Sequence, residues 1–301
     1  MGEGPVASGS RRRIVTPGRS AIGGLVLALV LLPLVGGQYA QYVAIQVLIL
    51  SLFALGFNIL FGYTGLLSFG QAGFYAVGAY GCAKLLLLTP SLLFGVVGMM
   101  IFSMALKWRD FTGGDDGLVG IPRAPLEIPG LVSISMASMG RYYYFVLAVS
   151  LVAIAIAYRL VHSPLGLTFQ GIRDSEGRMA FTGVSVRTYR LIAFVIAGLY
   201  AGLAGALLPA LENTVTPPVA HWTTSADPVL ATLLGGIQAF AGPIVGAFLF
   251  FMIKDIIVRF TEYWLIWLGV IVVVLVMGFR GGVVSLATAR WRALRPGREG
   301  A

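Results

Sequence analysis

Long apolar runs separated by short polar interruptions set the organisation of this chain. Apolar stretches cover Ala21–Val35, Tyr42–Phe61, Phe74–Leu88, Ser91–Leu106, Tyr142–Val161, Leu191–Leu208, Val229–Leu234 followed by Ile244–Val258, and Tyr263–Phe279. A helix of about 20 mostly apolar residues crosses the hydrocarbon core of a bilayer. The pattern therefore predicts an all-α polytopic membrane protein with about eight membrane segments, some of them broken or re-entrant.

Two interruptions fall at membrane depth. Gly62-Tyr63-Thr64-Gly65-Leu66-Leu67-Ser68-Phe69-Gly70-Gln71-Ala72-Gly73 follows the second run, and Gly235-Gly236-Ile237-Gln238-Ala239-Phe240-Ala241-Gly242-Pro243 divides the seventh. Irregular backbone is tolerated in a membrane only where protein buries it or it lines a wet cavity. Paired interruptions in the two halves of a chain point to a transport route. A short echo supports the pairing: Val77-Gly78-Ala79-Tyr80 follows the first break and Val245-Gly246-Ala247-Phe248 the second. The predicted route residues are Asn58, Gly62, Tyr63, Gly65, Ser68 and Gln71 from the first half, and Gly235, Gly236, Gln238, Gly242 and Pro243 from the second. The competing reading is close helix packing through small residues, which also fits Gly198, Gly202 and Gly205 in the sixth run.

The other interruptions are extramembrane. Residues 107–141 form a polar, proline-rich loop; its Asp115-Asp116-Gly117 lacks the spacing of a calcium site and reads as a solvated turn. Pro209–Asp227 contains no Lys or Arg. Residues 162–190 form a polar island that opens on Ser163-Pro164-Leu165-Gly166 and continues as a short helix carrying Arg173, Asp174, Glu176 and Arg178. Domain boundaries follow: a basic tail at 1–20, a membrane domain at 21–285, and a second basic tail at 286–301.

Composition agrees. The 301 residues are 58% hydrophobic and 11% charged, against about 25% charged in a soluble domain. The net charge of +9 comes from arginines in the two tails and the island. The positive-inside rule explains that placement better than nucleic-acid binding does and puts all three in the cytosol. Loop 209–227 then lies outside, and the segment 228–259 must enter and leave on the outer side, with Val229–Phe240 as a half-helix. The first half does not balance: four full spans before residue 107 would turn the island outward. Either 57–88 holds a re-entrant piece or a helix is missing near Pro90–Gly98.

Catalytic chemistry is not apparent. Cys82 is the single cysteine, the two histidines (His162 and His221) stand far apart, and none of Lys84, Lys107 and Lys254 follows a glycine, so no Walker A loop exists. An ion-coupled carrier would place charges inside its spans, and those at 21–106 hold only Lys84.

The motifs together resemble the branched-chain amino acid ABC-importer permeases of the LivM type. The resemblance rests on Gly62-Tyr63-Thr64-Gly65-Leu66-Leu67-Ser68-Phe69-Gly70-Gln71-Ala72, on Thr112-Gly113-Gly114-Asp115-Asp116-Gly117-Leu118-Val119-Gly120-Ile121-Pro122, and on Ser163-Pro164-Leu165-Gly166 with Ile172-Arg173-Asp174 and Gly183. His221-Trp222, Leu233-Leu234-Gly235-Gly236 and Gly242-Pro243 with Gly246-Ala247 are also similar. It implies the ABC importer permease fold in the bacterial inner membrane, with both termini cytosolic. It implies a transport subunit rather than an enzyme, one that binds no cofactor because ATP is used by two separate ATPase subunits. A second, LivH-like permease and a periplasmic substrate-binding protein would complete the assembly. The island would be the ATPase-coupling segment, with Leu165, Gly166, Ile172, Arg173, Asp174, Glu176, Met179 and Gly183 at the contact. The resemblance leaves a urea or short-amide permease, or a shortened non-functional paralogue, as alternatives. By the same comparison the chain is short by a helix between its third span and the Thr-Gly-Gly loop, and Gly278-Phe279-Arg280-Gly281-Gly282 replaces the usual Pro-Arg-Gly-Leu ending.

Overall fold

The computed structural model describes residues 19–68, 70–88, 118–123, 126–128, 132–216, 219, 222–261, 266–267 and 269–270. Helix α1 (Arg19–Val35) stops at Gly36-Gly37, and α2 (Gln38–Asn58) begins at once. A π-helical turn, Ile59–Tyr63, extends α2 into one apolar rod of 26 residues, about 39 Å long at 1.5 Å per residue. Helix α3 (Gln71–Leu88) follows, then strands β1 (Leu118–Val119), β2 (Leu126–Ile128) and β3 (Val132–Ile134). Helix α4 (Met139–Val161) leads to the short helices α5 (Pro164–Asp174) and α6 (Glu176–Phe181). The chain closes with α7 (Val186–Glu212), β4 (Thr214–Val215), α8 (Trp222–Gly235) and α9 (Gly242–Phe260).

The central element is α2. Every residue from Ser51 to Leu60 is buried, as expected of a helix that is apolar all round. It packs against α4, α7, α8 and α9. Small residues permit the approach. A Cβ at Gly56 would collide with Tyr200, one at Gly78 with the Gly202 backbone, and one at Gly205 with the Tyr75 backbone. The glycines of the sixth apolar run thus serve close contact between α7 and α3. The outer faces stay apolar: Leu191, Val195 and Leu199 form an exposed stripe on α7, and Val152 and Ile156 one on α4. These faces suit lipid rather than water.

The far end of α7 is sealed by polar groups. Asn213 adopts the left-handed conformation (φ 57°), and its N–H donates to the Pro209 carbonyl at 2.8 Å. Arg123 donates to the carbonyls of Ala210 (2.9 Å) and Leu211 (3.4 Å), two of the acceptors that a helix end leaves unpaired. Strands β1 and β4 pair antiparallel beside it, Leu118 opposite Val215. A second small ribbon joins β2 to β3.

Three helices among the described residues are long and apolar enough to cross a membrane: Gln38–Tyr63, Met139–Val161 and Val186–Glu212. Several expected boundaries move. Pro209 lies inside α7 and Pro228 inside α8, so most of the expected loop 209–227 is helical. Helices in membranes accept proline because neighbouring elements re-satisfy the freed carbonyl. The predicted half-helix Val229–Phe240 is instead Trp222–Gly235. The island is not one helix but two, broken where Ser175 is extended (φ −163°, ψ 99°), and its last residues already belong to α7.

The first-half topology also gains a feature. The end of the α2 rod sits beside Ile237, since a Cβ on Gly62 would lie 2.9 Å from the Ile237 carbonyl. Yet the Ala72 N–H, one residue into α3, bonds the Ser225 hydroxyl at 2.8 Å. Ser225 and Ile237 are separated by nearly the length of α8, about 15 Å or more. Residues 65–68 are not helical, and the start of α3 lies back along the bundle from the end of the α2 rod. The expected calcium-like turn at 115–117, the segment 90–98, both tails and nearly all of the expected last span, Tyr263–Phe279, lie outside the described residues.

Candidate functional site

The two glycine-rich breaks and the island meet at one end of the bundle. The π turn widens the last turn of α2, so Leu66 N–H reaches back to the Leu60 carbonyl (3.2 Å) and Gly65 N–H to Phe61 (3.0 Å). Arg173, at the end of α5, donates through Nη1 to the carbonyl of Gly62. Gly62 has no room for a side chain, because a Cβ would collide with Asn58 Oδ1 and press on the Ile237 carbonyl. Gly65 takes φ +76° and lies against the Arg173 stem, its Cβ position 3.6 Å from Cγ. One residue, Arg173, thus joins the island to the break in the central helix.

Asn58 Oδ1, the Tyr63 hydroxyl and both side-chain amide atoms of Gln71 are buried without a hydrogen-bond partner among the described residues. Ser68 is half-buried and Gly65 exposed. The second break behaves differently. Cβ atoms at Gly235 and Gly242 would collide with the carbonyls of Gly242 and Gly236 respectively, and one at Gly246 with Ala231. Gly236 turns the chain at φ +108°, and Pro243 is buried in the first turn of α9. These glycines clamp α8 to α9 backbone to backbone. Of the route residues expected there, Gln238 alone is exposed, at the hairpin tip. The small-residue packing weighed against a solute route therefore describes Gly235 and Gly242.

The island is anchored on one side and open on the other. Ser163 precedes Pro164, which is preset for the first helical turn. Gly166 lies so near Val161 that no Cβ fits. Phe169 (0% exposed) and Ile172 (2%) enter the core, with Phe169 edge-on to Tyr189 at 6.4 Å. Met179 folds back over Gly171, and Leu165 packs against the core. Glu176 and Arg190 form a two-pronged ion pair at 3.0 and 2.7 Å, pinning α6 to the start of α7. Gly183 (φ +82°) closes α6: its N–H bonds the Ala180 carbonyl, and that of Val184 bonds Met179, the paired pattern of a Schellman turn. What remains outside is Asp174, Glu176, Arg178, Leu167 (64%) and Phe181 (94%). Leu167 and Phe181, not Ile172, are the apolar groups the island exposes. Phe181 on a helix with no buried residue is the signal that periodicity alone would have given.

A second polar cluster lies nearer the other end. A cavity of about 140 Å³ opens between α2, α3, α7, α8 and α9, with Gln46, Thr224, Asp227 and Lys254 in its wall. Gln46 donates to Glu212 at 3.2 Å and to Tyr42 at 2.7 Å. Lys254 acts electrostatically on both Glu212 and Asp227. Lys254 falls inside the apolar run 244–258, where an ionisable residue marks a functional site; the signal was legible there.

Comparison with known proteins decides the family. Residues 39–108 and 106–279 match the family described as branched-chain amino acid transport system / permease component. The chain belongs to this family. It is a membrane permease of the branched-chain amino acid ABC type. It is 26% identical to the high-affinity branched-chain amino acid transport system permease protein LivM of Escherichia coli (strain K12), over 81% of this chain and 69% of that protein. The Salmonella typhimurium (strain LT2) protein of the same description is 24% identical over the same shares. The autoinducer 2 import system permease protein LsrC of Enterobacter sp. (strain 638) is 25% identical over 68% of this chain and 60% of its own length. No solved structure matches.

Proposed function

We propose that this chain is the membrane-crossing subunit of an ATP-driven importer for branched-chain or related amino acids. In this reading the island end faces the cytosol, where two separate ATPase subunits dock on it, and a second permease faces the glycine break of α2. A periplasmic binding protein delivers solute to the opposite end. The observation that carries the reading is the double orientation of the island. Its outer surface offers Phe181 and Leu167 to a partner, while on its inner side Arg173 grips the Gly62 carbonyl. A displacement of the island is then transmitted to the one broken turn of the central helix. The unbonded polar atoms of Asn58, Tyr63 and Gln71 suit a route wetted by water or a polar solute. Asp174, exposed at the end of α5, adds a charge for the same partner.

The test is co-purification and uptake. The chain, co-expressed with candidate ATPase, permease and binding-protein subunits of the same transporter family, should retain the ATPases and take up labelled leucine in proteoliposomes. Phe181→Asp should release the ATPases while the permease still inserts and elutes as a folded species. Full retention of the ATPases by Phe181→Asp would remove the docking surface from the island.

A further inference from the structure

A cavity of about 600 Å³ opens at the end of the bundle opposite the island, where α1 stops and α2 and α4 begin. Leu34 forms one side of it, Gln38 and Gln41 another, and Arg123, Gly140 and Arg141 the third. About one helical turn further in, the hydroxyls of Tyr143 and Tyr144 donate to the carbonyls of Leu29 (2.7 Å) and Val30 (3.1 Å), which joins α4 to α1. The depth of the cavity follows from length. The 26-residue α2 rod measures about 39 Å, against about 30 Å of hydrocarbon in a bilayer. Its first turn, which supplies Gln38 and Gln41, therefore reaches the headgroup layer. Tyr144, exposed in the wall, is a side chain that settles at this interface. Leu34, 75% exposed, belongs both to the wall and to the apolar outer face that α1 presents with Leu27 and Val35.

The polar part of this wall suits an anion. Ser138 is the N-cap of α4 but makes no capping bond, and the first bond of the helix runs from Tyr142 N–H to the Ser138 carbonyl. The N–H groups of Met139, Gly140 and Arg141 therefore start the helix without intrahelical acceptors, and they carry its partial positive charge. Arg141 adds a full positive charge in the same turn, where the helix dipole by itself favours a carboxylate. It donates one Nη1 bond to the Ser135 carbonyl at 3.0 Å, which leaves Nε and Nη2 outside that bond. Arg123 adds a second charge: Nε and Nη2 cap α7, and Nη1 takes part in neither bond. Among the described residues, the wall contains no carboxylate. Gln41 Nε2 donates to the Pro33 carbonyl at 3.3 Å, while its Oε1 lies 3.6 Å from the Cβ position of Gly140.

We propose that this cavity binds the headgroup of an anionic glycerophospholipid, with Arg123, Arg141 and the start of α4 around the phosphate and the acyl chains along the outer face of α1. The amides of Gln38 and Gln41 suit the hydroxyls of a glycerol headgroup. An ethanolamine or choline headgroup would bring a cation beside two arginines, with no carboxylate in the wall to receive it. Basic pockets between membrane helices recognise anionic headgroups in this way. The site is separate from the island, from the α2 break and from any solute the permease carries.

The experiment uses the full-length permease, stripped of lipid in detergent micelles and titrated with fluorescent phosphatidylglycerol. One saturable site is expected. Phosphatidylethanolamine and phosphatidylcholine should compete roughly 10- to 100-fold less well, the equivalent of one charge-assisted contact. Arg141→Gln should weaken phosphatidylglycerol by a similar factor, and Arg141→Glu by more. Arg141→Glu also completes a capping box with Ser138, so α4 itself should be no less stable. An unfolding midpoint in lipid-free micelles at or above that of the parent then separates lost lipid from lost fold. Equal affinity for the three headgroups, or lipid held as tightly by Arg141→Glu as by the parent, would overturn the site. Displacement by inorganic phosphate or glycerol 3-phosphate at the concentration of the lipid would overturn it too, because the cavity would then take a soluble phosphate. So would salt-sensitive capture of a candidate periplasmic binding protein by the lipid-free permease, lost in Arg141→Glu and indifferent to phosphatidylglycerol, which would assign the arginines to an acidic protein surface.

Discussion

Replacing Gly235 by alanine separates a glycine that packs from one that lines a route. The Cβ it would add meets the Gly242 carbonyl oxygen closer than 3.0 Å, with Gly246 N at 2.9 Å, whereas ordinary contact begins at 3.4 Å. The colliding atoms are backbone, so no side chain can swing away. Helices α8 and α9 must part by more than an ångström along their whole seam, which also carries the Gly246–Ala231 approach. Overpacking of this kind costs about 2–3 kcal/mol, a fall of roughly 30- to 150-fold in the folded-to-unfolded ratio. Gly246→Ala presses on the same seam, so the double variant should cost clearly less than the sum of the two. Gly73→Ala is the control: nothing lies within 4 Å of its Cβ position, and alanine should be neutral or gain up to about 1 kcal/mol in a helix. Reversible unfolding in mixed micelles, followed by tryptophan fluorescence, measures all four. A Gly235→Ala protein that is as stable as the parent yet has lost leucine uptake would refute the packing argument and return Gly235 to the solute route.

Two further outcomes are expected. Arg173→Met keeps the apolar stem but removes the hydrogen bond to Gly62, worth about 1.5–3 kcal/mol for a charged donor; leucine moved per ATP hydrolysed should fall while basal hydrolysis persists, and an unchanged ratio would dissociate the island from the α2 break. Asn213→Ala forces a Cβ residue other than Asn into the left-handed cap of α7 and should cost about 1 kcal/mol, whereas Asn213→Gly should be close to neutral; equal unfolding midpoints for the two would mean the cap is not held as described.

Much of the architecture was readable before any coordinates. The apolar runs placed the long helices, because in lipid a helix must be apolar over its full span. The glycine-rich stretch after Phe61 does interrupt the helix, at Gly65, and the island 162–190 is built mostly of two short helices, with its last residues in α7. The misplaced boundaries share a cause. Pro209 and Pro228 look like stops in a water-based reading, yet the bundle carries helix through both. The π turn leaves no sequence signature, and its neighbours Arg173 and Ile237 come from distant parts of the chain. The roles of the glycines at 235 and 242 could not be read either, because a packing glycine and a lining glycine have the same side chain and differ only in what stands opposite. Ile172 illustrates the same limit: it looked like an exposed contact, and the fold turns it inward. Asp227 and Lys254 were each visible, but their shared wall depends on the hairpin bringing α8 and α9 together.

The wide last turn of α2 has a mechanical meaning. A π turn holds one residue more than an α turn, so it is a length of slack stored in an otherwise stiff rod. Taking up that slack would advance the register by one residue and swing Tyr63 roughly 100° about the helix axis, with no need to unwind Gln38–Asn58. Arg173 holds the carbonyl of Gly62, inside that very turn. A tug at the island therefore acts where the rod can change pitch, and the rest of the helix behaves as a fixed spindle.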